Sequence, residues 1–292
     1  LDLSCTGISD SIPTWFWNLT SHSDYLNISH NQIQGELPSN LSIESYIVMI
    51  YLGSNQFKGS LPRISAYITE LDLSNNSLSG GISRLLCDPM NVPNRLKILH
   101  LGENQLSGEI PDCWMNWQSL EVVRLGNNNL RGKVPTSIGY LHLLQSLHLR
   151  NNSLSGEIPV SLGKCKELLT LDLGLNDFVG QIPAWLGTNL PNLKVVGLRS
   201  NRISGQIPPE FCHLASLQIV DLANNNLSGS IPKCLNNLTA IVTMKPPSSD
   251  SDYRLFYSFY GGVFFEEALV VIKGREFQYD TTLTLLTSLD IS

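Results

Sequence analysis

The sequence is poor in charge, and this scarcity narrows the functions it can serve. Only 15% of its 292 residues are charged, and the formal net charge is -6. Nucleic-acid binding needs lysine and arginine to neutralise phosphates, so an acidic chain of this kind is not expected to bind DNA or RNA. No window approaches 18 consecutive apolar residues, and the first residues lack the regions of a signal peptide. The sequence therefore predicts neither a membrane span nor a signal peptide within this stretch.

Catalytic and metal-binding motifs are also lacking. There is no G-x-S-x-G, no H-E-x-x-H, no P-loop and no G-x-G-x-x-G between a strand and a helix. The acidic residues occupy scattered repeat positions and do not converge on one place. No C-x-x-C or Cys/His spacing suggests zinc. We therefore expect neither an enzyme nor a bound cofactor or metal.

What the chain does contain is one short unit, repeated. The stretches LGENQLSGEIPDCW, LRNNSLSGEIPVSLG and LRSNRISGQIPPEF begin at Leu101, Leu149 and Leu198. Each carries an asparagine in the pattern LxxLxLxxN, and the commonest step between asparagines is 24 residues. These asparagines are Asn31, Asn55, Asn76, Asn104, Asn128, Asn152, Asn176, Asn201 and Asn225, with Thr6 in the same place at the start. Self-similarity at a short fixed period indicates a solenoid.

The spacing assigns a role to each position of the unit. Leucines at alternate positions, such as Leu147 and Leu149, point into the coil as in a short strand, while His148 and Arg150 point out. The asparagine amide can pair with backbone groups that the turn after the strand leaves unpaired. The glycine and proline that follow bend the backbone and end strand pairing. One parallel strand per coil thus stacks into a continuous sheet.

These LxxNxLSGxIPxxLGxL units resemble the plant-specific class of leucine-rich repeat. The resemblance covers residues 1 to about 239 and implies an α/β-type solenoid: a right-handed superhelix with a parallel sheet on its concave face. Steps of 21 and 28 residues on either side of Asn76 predict a local irregularity there. Because the chain begins with LDLS and ends with LDIS, each the opening of a unit, we expect it to be a fragment cut at both ends.

Four cysteines occupy the same pair of repeat positions twice. Cys87 and Cys113 lie 11 and 9 residues after their asparagines, and Cys212 and Cys234 repeat the same offsets. Neighbouring coils place these positions one above the other, which predicts the disulfides Cys87–Cys113 and Cys212–Cys234 and leaves Cys5 and Cys165 over. Small buried thiols in a reducing compartment are the alternative.

N-x-S/T sequons are frequent, although Asn- and Ser-rich repeats create some of them by chance. They lie at Asn18, Asn27, Asn40, Asn75, Asn151, Asn226 and Asn237. Together with paired cysteines and the plant repeat type they indicate a secreted or cell-surface product. Asn27, Asn75 and Asn151 are expected in the strand segment, where a glycan would obstruct the concave face.

A segment without the repeat pattern lies near the C-terminus, and we call residues 240–282 the island. It separates repeats 1–239 from the start of another repeat at 283–292. Its first part reads as a flexible loop, whereas ALVVIKGREFQY predicts two short strands joined by a turn at Lys273 and Gly274. Six aromatic residues lie close together at Tyr253, Phe256, Tyr257, Phe259, Tyr260 and Phe264. They either pack on the solenoid flank or form a docking surface for a partner.

An island that follows a long array and contains Lys-x5-Tyr, at Lys273 and Tyr279, is similar to plant receptor-like proteins of the immune class, including the xylanase-receptor and apple scab-resistance group. The resemblance implies that the island helps to recognise a microbial or peptide ligand and engages a SERK-type co-receptor kinase, with an adaptor receptor kinase as a further partner. The residues expected to serve these contacts are Tyr253, Phe256, Tyr257, Tyr260, Lys273 and Tyr279.

Outward-facing strand positions form a second candidate surface. Its predicted ligand-binding residues are Tyr51, Asp72, His100, Arg124, His148, Arg150, Asp172 and Arg199. The stripe Arg124, His148, Arg150 and Arg199 could bind an acidic partner through arginine forks, with Asp172 and Asp221 beside it. Alternatively these charges pair along the sheet, for example Asp172 with His148.

We thus expect the extracellular ligand-recognition part of a plant immune receptor at the plasma membrane, anchored through a C-terminal segment beyond this chain. Two other functions stay open at this point. One is a secreted inhibitor resembling polygalacturonase-inhibiting proteins, although those lack an island. The other is the ectodomain of a receptor kinase with a hormone-binding island, like the brassinosteroid receptor.

Overall fold

The computed structural model describes residues 1–19, 24–41, 48–87, 94–233, 256–259, 262–266, 268–272, 275–279 and 287–292. The leucines of each unit build one strand of a ten-stranded parallel sheet in which neighbours along the repeat are neighbours in space. We call its members the concave strands. They are Tyr25–Asn27, Met49–Tyr51, Glu70–Asp72, Ile98–His100, Val122–Arg124, Ser146–His148, Thr170–Asp172, Val195–Gly197, Ile219–Asp221 and Ser288–Asp290. This arrangement confirms the predicted leucine-rich-repeat solenoid.

The LSGxIP part of each unit forms further short parallel strands, which we call the flank strands. Seven of them make one sheet: Gln34–Glu36, Gln56–Ser60, Ser77–Gly80, Gln105–Glu109, Asn129–Gly132, Ser153–Gly156 and Asp177–Phe178. Two pairs complete the set: Asn40–Leu41 with Arg63–Ile64, and Ser204–Gly205 with Asn226–Leu227. Pairing continues across the irregular steps around Asn76, where Ser79 lies opposite Gln105 as Ser107 lies opposite Asn129.

Short helical turns close the coils on the side opposite the concave sheet. In the part of the chain that the structure describes, three α-helices span Thr14–Leu19, Ser83–Leu86 and Trp185–Asn189. Four 3-10 helices in the same part span Trp114–Asn116, Thr136–Tyr140, Val160–Lys164 and Pro209–His213. Each of these four follows a unit's proline or cysteine, where the backbone leaves the extended conformation. Among the described residues, no helix has the length and apolar character needed to cross a bilayer.

The recurring asparagines form a continuous hydrogen-bonded ladder through the turns. Asn128 is typical: its Nδ2 donates to the carbonyls of Leu101 at 3.0 Å and Leu125 at 3.1 Å. Its Oδ1 accepts from the backbone N–H of Leu106 at 2.9 Å. Every asparagine of the series repeats this pattern, so each one reaches from its own coil back to the preceding coil. The predicted structural role of these residues is confirmed.

The residue before each asparagine adopts a left-handed backbone conformation. Its φ is 55° at Asn127, 55° at Asn151 and 49° at Asn75, and similar values recur in every coil. Asparagine tolerates this region better than most residues, which explains the frequent Asn-Asn pairs. Asn75 and Asn151 therefore lie in the exposed turn after the strand and not within it. The expectation that they occupy the concave strands was wrong, while Asn27 does end one.

One hydrophobic core runs through the whole array. Leu99, Val123 and Leu147 are fully buried on successive coils, as are Phe57 and Phe178 from the flank strands. Because one coil has no second layer of its own, each set of apolar side chains is buried by the coils on either side. The array therefore holds its concave face as a rigid surface.

The cysteines adopt the arrangement that the repeat phase predicts, as far as the described residues extend. Cys87 and Cys113 form a disulfide with their Cα atoms 5.4 Å apart. Cys212 is also disulfide-bonded, while Cys234, its predicted partner, lies outside the described residues. Cys5 and Cys165 are free thiols, the first exposed and the second buried. Burial raises the pKa of Cys165 to about 12, so this thiol is inert.

Near the C-terminus, the concave strand Ser288–Asp290 pairs directly with Ile219–Asp221, so residues 222–287 lie between two adjacent strands of the sheet. The described residues of that stretch include two antiparallel strand pairs. Phe256–Phe259 pairs with Gly262–Phe265, and Ala268–Ile272 pairs with Arg275–Tyr279. The second pair is the one predicted from ALVVIKGREFQY, and we call it the docked strand pair.

Candidate ligand-binding surface

The concave sheet is open at one end and covered at the other. Outward-facing side chains are half-exposed on the strands Tyr25–Asn27 and Met49–Tyr51. On Val122–Arg124, Thr170–Asp172 and Ile219–Asp221 every residue is buried, including those that face outward. Side chains on the concave face of a bare solenoid would contact water, so these strands have a layer of protein above them.

The open end carries tyrosines, acids and a histidine. The rings of Tyr25 and Tyr51 lie 5.6 Å apart between centroids. Tyr51 donates its hydroxyl to the carboxyl of Glu70, and Asp72 lies 3.5 Å from His100 Nδ1. Burial raises the pKa of Glu70, and burial together with Glu70 raises that of Tyr51. Tyr51, Asp72 and His100, three of the predicted ligand-binding residues, thus lie together on the accessible part of the sheet.

At the covered end, two predicted ligand-binding residues are already in contact with a carboxylate of the same chain. Glu266 Oε1 lies 2.6 Å from His148 Nε2 and 3.4 Å from Arg124 Nη2. The Glu266 side chain is 0% exposed, and Arg124 is buried beside it. With the carboxyl ionised, the histidine hydrogen lies on Nε2, which donates to it. We call Glu266, Arg124 and His148 the clasp.

The clasp changes the pairing expected for His148. His148 and Asp172 are register partners on neighbouring strands, but the imidazole turns to Glu266. Asp172 Oδ1 instead accepts from the backbone N–H of Gly174 at 3.0 Å. The Asp172–His148 pair suggested by strand spacing was therefore wrong, because a closer carboxylate from another part of the chain takes the imidazole.

Two glycines make room for the charged side chains of the preceding coils. A Cβ at Gly174 would lie 2.7 Å from Arg150 Nη1, and one at Gly197 would lie 2.7 Å from Asp172 Oδ1. Both glycines occupy outward-facing positions where other coils carry side chains. They allow Arg150 and Asp172 to lie flat and buried on the sheet.

The last predicted cation of the stripe belongs to a separate ion-pair network. Arg199 Nε donates to Asp221 Oδ2 at 2.7 Å, and its Nη2 contacts Asp290 on the next concave strand. Burial raises the pKa of Asp221 even though Arg199 opposes the shift. The structure thus divides the predicted stripe: Arg124 and His148 meet Glu266, whereas Arg199 joins neighbouring concave strands.

The docked strand pair lies on the concave face. Val270 is buried against Val195 and Ile219, and Tyr279 packs against the same cluster. Tyr279, predicted to contact a partner, therefore points toward the sheet. Phe277 is 43% exposed. The strand Phe256–Phe259 includes the predicted positions Phe256 and Tyr257, while Tyr253, Tyr260 and Lys273 lie outside the described residues.

The remaining sequons differ in accessibility. Asn40 and Asn226 are exposed on flank strands. Asn27 is half-buried and its amide nitrogen donates to the Tyr25 hydroxyl at 3.0 Å. Asn18 and Asn237 are not described at the level of side chains. Asn151 is exposed, and its Nδ2 donates to Asn127 Oδ1 at 2.9 Å.

Sequence reasoning missed Glu266, Gly174 and Gly197. Gly197 leaves a readable signal, because it interrupts a row of larger outward-facing residues one coil after Asp172, whereas Gly174 stands at a position where glycine is common in this chain. Glu266 leaves a weaker one, as part of an acidic pair inside the otherwise apolar stretch VFFEEALVV. Within the described ranges, no group of three or more His, Cys, Asp or Glu side chains is arranged to hold a metal ion.

Comparison with known proteins agrees with this architecture. A leucine-rich repeat model matches residues 94–154, and a second matches 24–42, 67–88, 192–214 and 216–238. The receptor-like protein EIX2 of Solanum lycopersicum is 44% identical over 294 residues, covering 100% of this chain and 28% of the relative. The chain thus spans little more than a quarter of that protein.

Solved structures of plant receptors have the same fold. The Arabidopsis receptor kinase HAESA, in complex with the peptide hormone IDA and the co-receptor SERK1, matches with a TM-score of 0.70 and 29% identity over 78% of this chain and 38% of that chain. The plant peptide hormone receptor RGFR1, in complex with RGF2, matches with a TM-score of 0.69 and 31% identity over 77% of this chain and 36% of that chain.

Proposed function

Because the chain belongs to the leucine-rich-repeat receptor-like proteins of plants, we propose that it is the ligand-recognising part of a cell-surface immune receptor. It binds a protein or fragment derived from a pathogen and brings a SERK-type co-receptor kinase and an adaptor receptor kinase to the same complex. In the whole protein, a segment C-terminal to this chain anchors it in the plasma membrane with the repeats outside the cell.

The observation that carries this proposal is the rigid concave sheet with an accessible polar end. Tyr51, Asp72 and His100 stand at equivalent positions on three neighbouring strands and are all half-exposed. Variable side chains on an invariant scaffold allow recognition to change without disturbing the core. A tyrosine-rich surface gives contact area at little entropic cost. We infer that an external ligand contacts this end of the sheet.

We further infer that the island is an insertion in the array and the docking element for the co-receptor. The direct pairing of Ile219–Asp221 with Ser288–Asp290 supports the insertion, since the sheet continues past it. The exposed ring of Phe277 is suited to contact a partner. Lys273 stays a proposed contact on motif grounds alone, whereas Tyr279 acts by holding the strand pair on the sheet.

A receptor for an extended peptide hormone is the second candidate, because the solved receptor structures with bound hormones resemble this chain. An extended peptide on the concave face needs a continuous open sheet. In this chain the concave strands from Val122 to Asp221 are covered. This favours a protein ligand that contacts the open end of the sheet over an extended peptide that lies along the whole concave face. The covered sheet and the island also weigh against the secreted inhibitor.

A binding experiment tests the ligand proposal. We would express the full chain within its complete ectodomain and measure its affinity for a purified fungal xylanase, the microbial protein that the resemblance suggests. Asp72→Lys reverses a charge and His100→Glu adds a negative one, so each should weaken binding at least ~10-fold, because a charge that does not match the partner surface repels it. Glu109→Lys on a flank strand is the matched control. Equal affinity of all variants would refute this location of the site, and no binding by the parent protein would refute xylanase as the ligand.

The co-receptor proposal has a separate readout. In a leaf cell-death assay with the full-length receptor, Phe277→Ser and Lys273→Glu should abolish the response and reduce co-purification of the SERK-type kinase, while surface expression stays normal. Val179→Ser, which also removes an exposed apolar side chain but on the flank, is the control. Normal signalling by both test variants would contradict a docking role for the island.

A further inference from the structure

The clasp joins residues that are far apart in sequence and deeply buried. Glu266 lies 118 residues from His148 and 142 from Arg124, yet all three side chains meet on the concave face. Arg124 and His148 are register partners on adjacent strands, so their nitrogen donors are held side by side by the sheet itself. Loss of either donor would leave the buried carboxylate less well paired, and a poorly paired buried charge is strongly disfavoured.

The second attachment point lies further along the array. Val270 packs against Val195 and Ile219, which lie on two neighbouring concave strands. The midpoint of these two strands is three strand spacings from the midpoint of the two strands that carry Arg124 and His148. With adjacent strands ~4.8 Å apart, the two attachment points are ~14 Å apart. The four residue steps from Glu266 to Val270 span about the same distance when extended, at ~3.4 Å per residue. The two attachment points are therefore about as far apart along the axis of the array as an extended chain reaches from Glu266 to Val270.

An isolated two-stranded pair is marginally stable in water, so the order of the docked strand pair depends on its contacts with the solenoid. Val270 and Tyr279 supply apolar contact, which is not directional and would tolerate sliding along the row of concave side chains. The carboxylate of Glu266 fits only where an arginine and a histidine are adjacent. The polar contact thus fixes a register that the apolar contact leaves open.

We propose that Glu266 is a positioning residue whose seat between Arg124 and His148 fixes the docked strand pair in one register on the concave face. In this state the segment acts as a built-in cover: it closes the central strands to external ligands and presents Phe277 in one orientation. The proposal concerns the chain alone and holds whichever ligand or co-receptor the protein binds. Opening the central face requires the release of Glu266.

Two measurements on the full chain test it. Hydrogen exchange reports the backbone amides of 268–272 and 275–279, and phenylglyoxal labelling followed by peptide mass spectrometry reports access to Arg124. Glu266→Gln keeps the size of the side chain and removes its charge. We expect exchange protection of the strand pair to fall ~100-fold and the labelling rate of Arg124 to rise by a similar factor. Arg131, exposed on the flank strand Asn129–Gly132, is the internal standard for the reagent.

Two further variants make the result specific. Asp177→Asn removes a carboxylate that pairs with Arg202 at 2.7 Å on the exposed flank, and it should change neither measurement at the concave face. Glu266→Asp retains the charge and should recover at least ~10-fold of the lost protection, because a carboxylate one methylene shorter still reaches the histidine side of the pair.

Three results would overturn the proposal. One is unchanged protection and labelling in Glu266→Gln. Another is equal loss of protection in Glu266→Asp and Glu266→Gln, because a carboxylate within reach of His148 would then not be enough to hold the strand pair. The third is simultaneous loss of protection at Val123 and Leu147 in the solenoid core, since Glu266 would then maintain the fold as a whole and not the register of the cover.

Discussion

Replacing Asn128 by alanine tests the hydrogen-bonded ladder at a place where water cannot compensate. The substitution removes the acceptor of the Leu106 N–H and the donor to the carbonyls of Leu101 and Leu125. All three leucines are fully buried. In the alanine variant the buried N–H of Leu106 therefore loses its acceptor, and the buried carbonyls of Leu101 and Leu125 each lose a hydrogen-bond donor.

The magnitude follows from these three groups. A buried polar group that loses its partner costs about 1–3 kcal/mol, so we expect the free energy of unfolding to fall by about 3 kcal/mol or more. Asn31→Ala is the matched control. It breaks the same kind of bonds, but Asn31 serves the exposed N–H of Thr6 and the part-buried N–H of Ile8, where water can take its place more readily than in the buried coil around Asn128. We expect its cost to stay near 1 kcal/mol.

Urea unfolding followed by circular dichroism gives the global stability, and the exchange rate of the Leu106 amide gives the local effect. The local measurement matters because long repeat arrays do not always unfold in one step. Equal losses in Asn128→Ala and Asn31→Ala would show that burial does not set the cost. A loss below about 1 kcal/mol at Asn128 would refute the structural role assigned to the ladder.

Three other expectations follow from the fold. Gly187→Ala should lower the free energy of unfolding in urea by about 3 kcal/mol or more, because the new Cβ would lie 2.0 Å from a backbone oxygen of the next coil. The control Gly81→Ala should be tolerated, because its new Cβ would have its nearest contact at 3.8 Å. Iodoacetamide at pH 8 should label exposed Cys5 in the native chain, and Cys165, whose pKa burial raises to about 12, only after unfolding; native labelling of Cys165 would contradict its burial. Burial raises the pKa of Glu70 above 4.5, so the carboxyl of Glu70 keeps its proton to a higher pH in the folded chain than in the unfolded chain. The free energy of unfolding therefore falls as the pH rises from the unfolded pKa through the folded pKa. The melting temperature of Glu70→Gln should therefore rise relative to that of the parent protein as the pH goes from 4 to 7. Parallel pH profiles of the two melting temperatures would contradict the raised pKa of Glu70.

The sequence was most informative where the structure is local. Asn128, its leucines and its glycine recur at a fixed step, so one coil's pattern predicted the strand, the turn and the stacking of every other. The Cys87–Cys113 bond follows from the same logic, because similar offsets from the asparagine in adjacent coils mean proximity in space. The strands around Lys273 were predicted by their own β-branched and aromatic residues.

Prediction failed where the outcome depends on contacts between distant segments. Whether His148 pairs with Asp172 or with Glu266 is decided by where residues 266–279 lie on the sheet, and no periodicity encodes that position. Asn151 was misplaced for a different reason: the pattern marks the end of the strand only to within a residue or two, and the left-handed turn begins there. The division of the concave face into an open and a covered end likewise became visible only with the strand pair in place.

The asparagine ladder also gives the array a mechanical direction. Each amide holds together the turn of the coil before it, so a coil depends on its C-terminal neighbour more than on its N-terminal one. When the C-terminal coil detaches, its asparagine leaves the turn of the preceding coil without hydrogen-bond partners. That preceding coil is therefore already destabilised when the pulling force reaches it. Peeling from the N-terminal side leaves the next coil with its own asparagine still bonded to its own carbonyls. We therefore expect the array to unfold at a lower force, one coil at a time, when the force is applied to its C-terminal coil than when it is applied to its N-terminal coil.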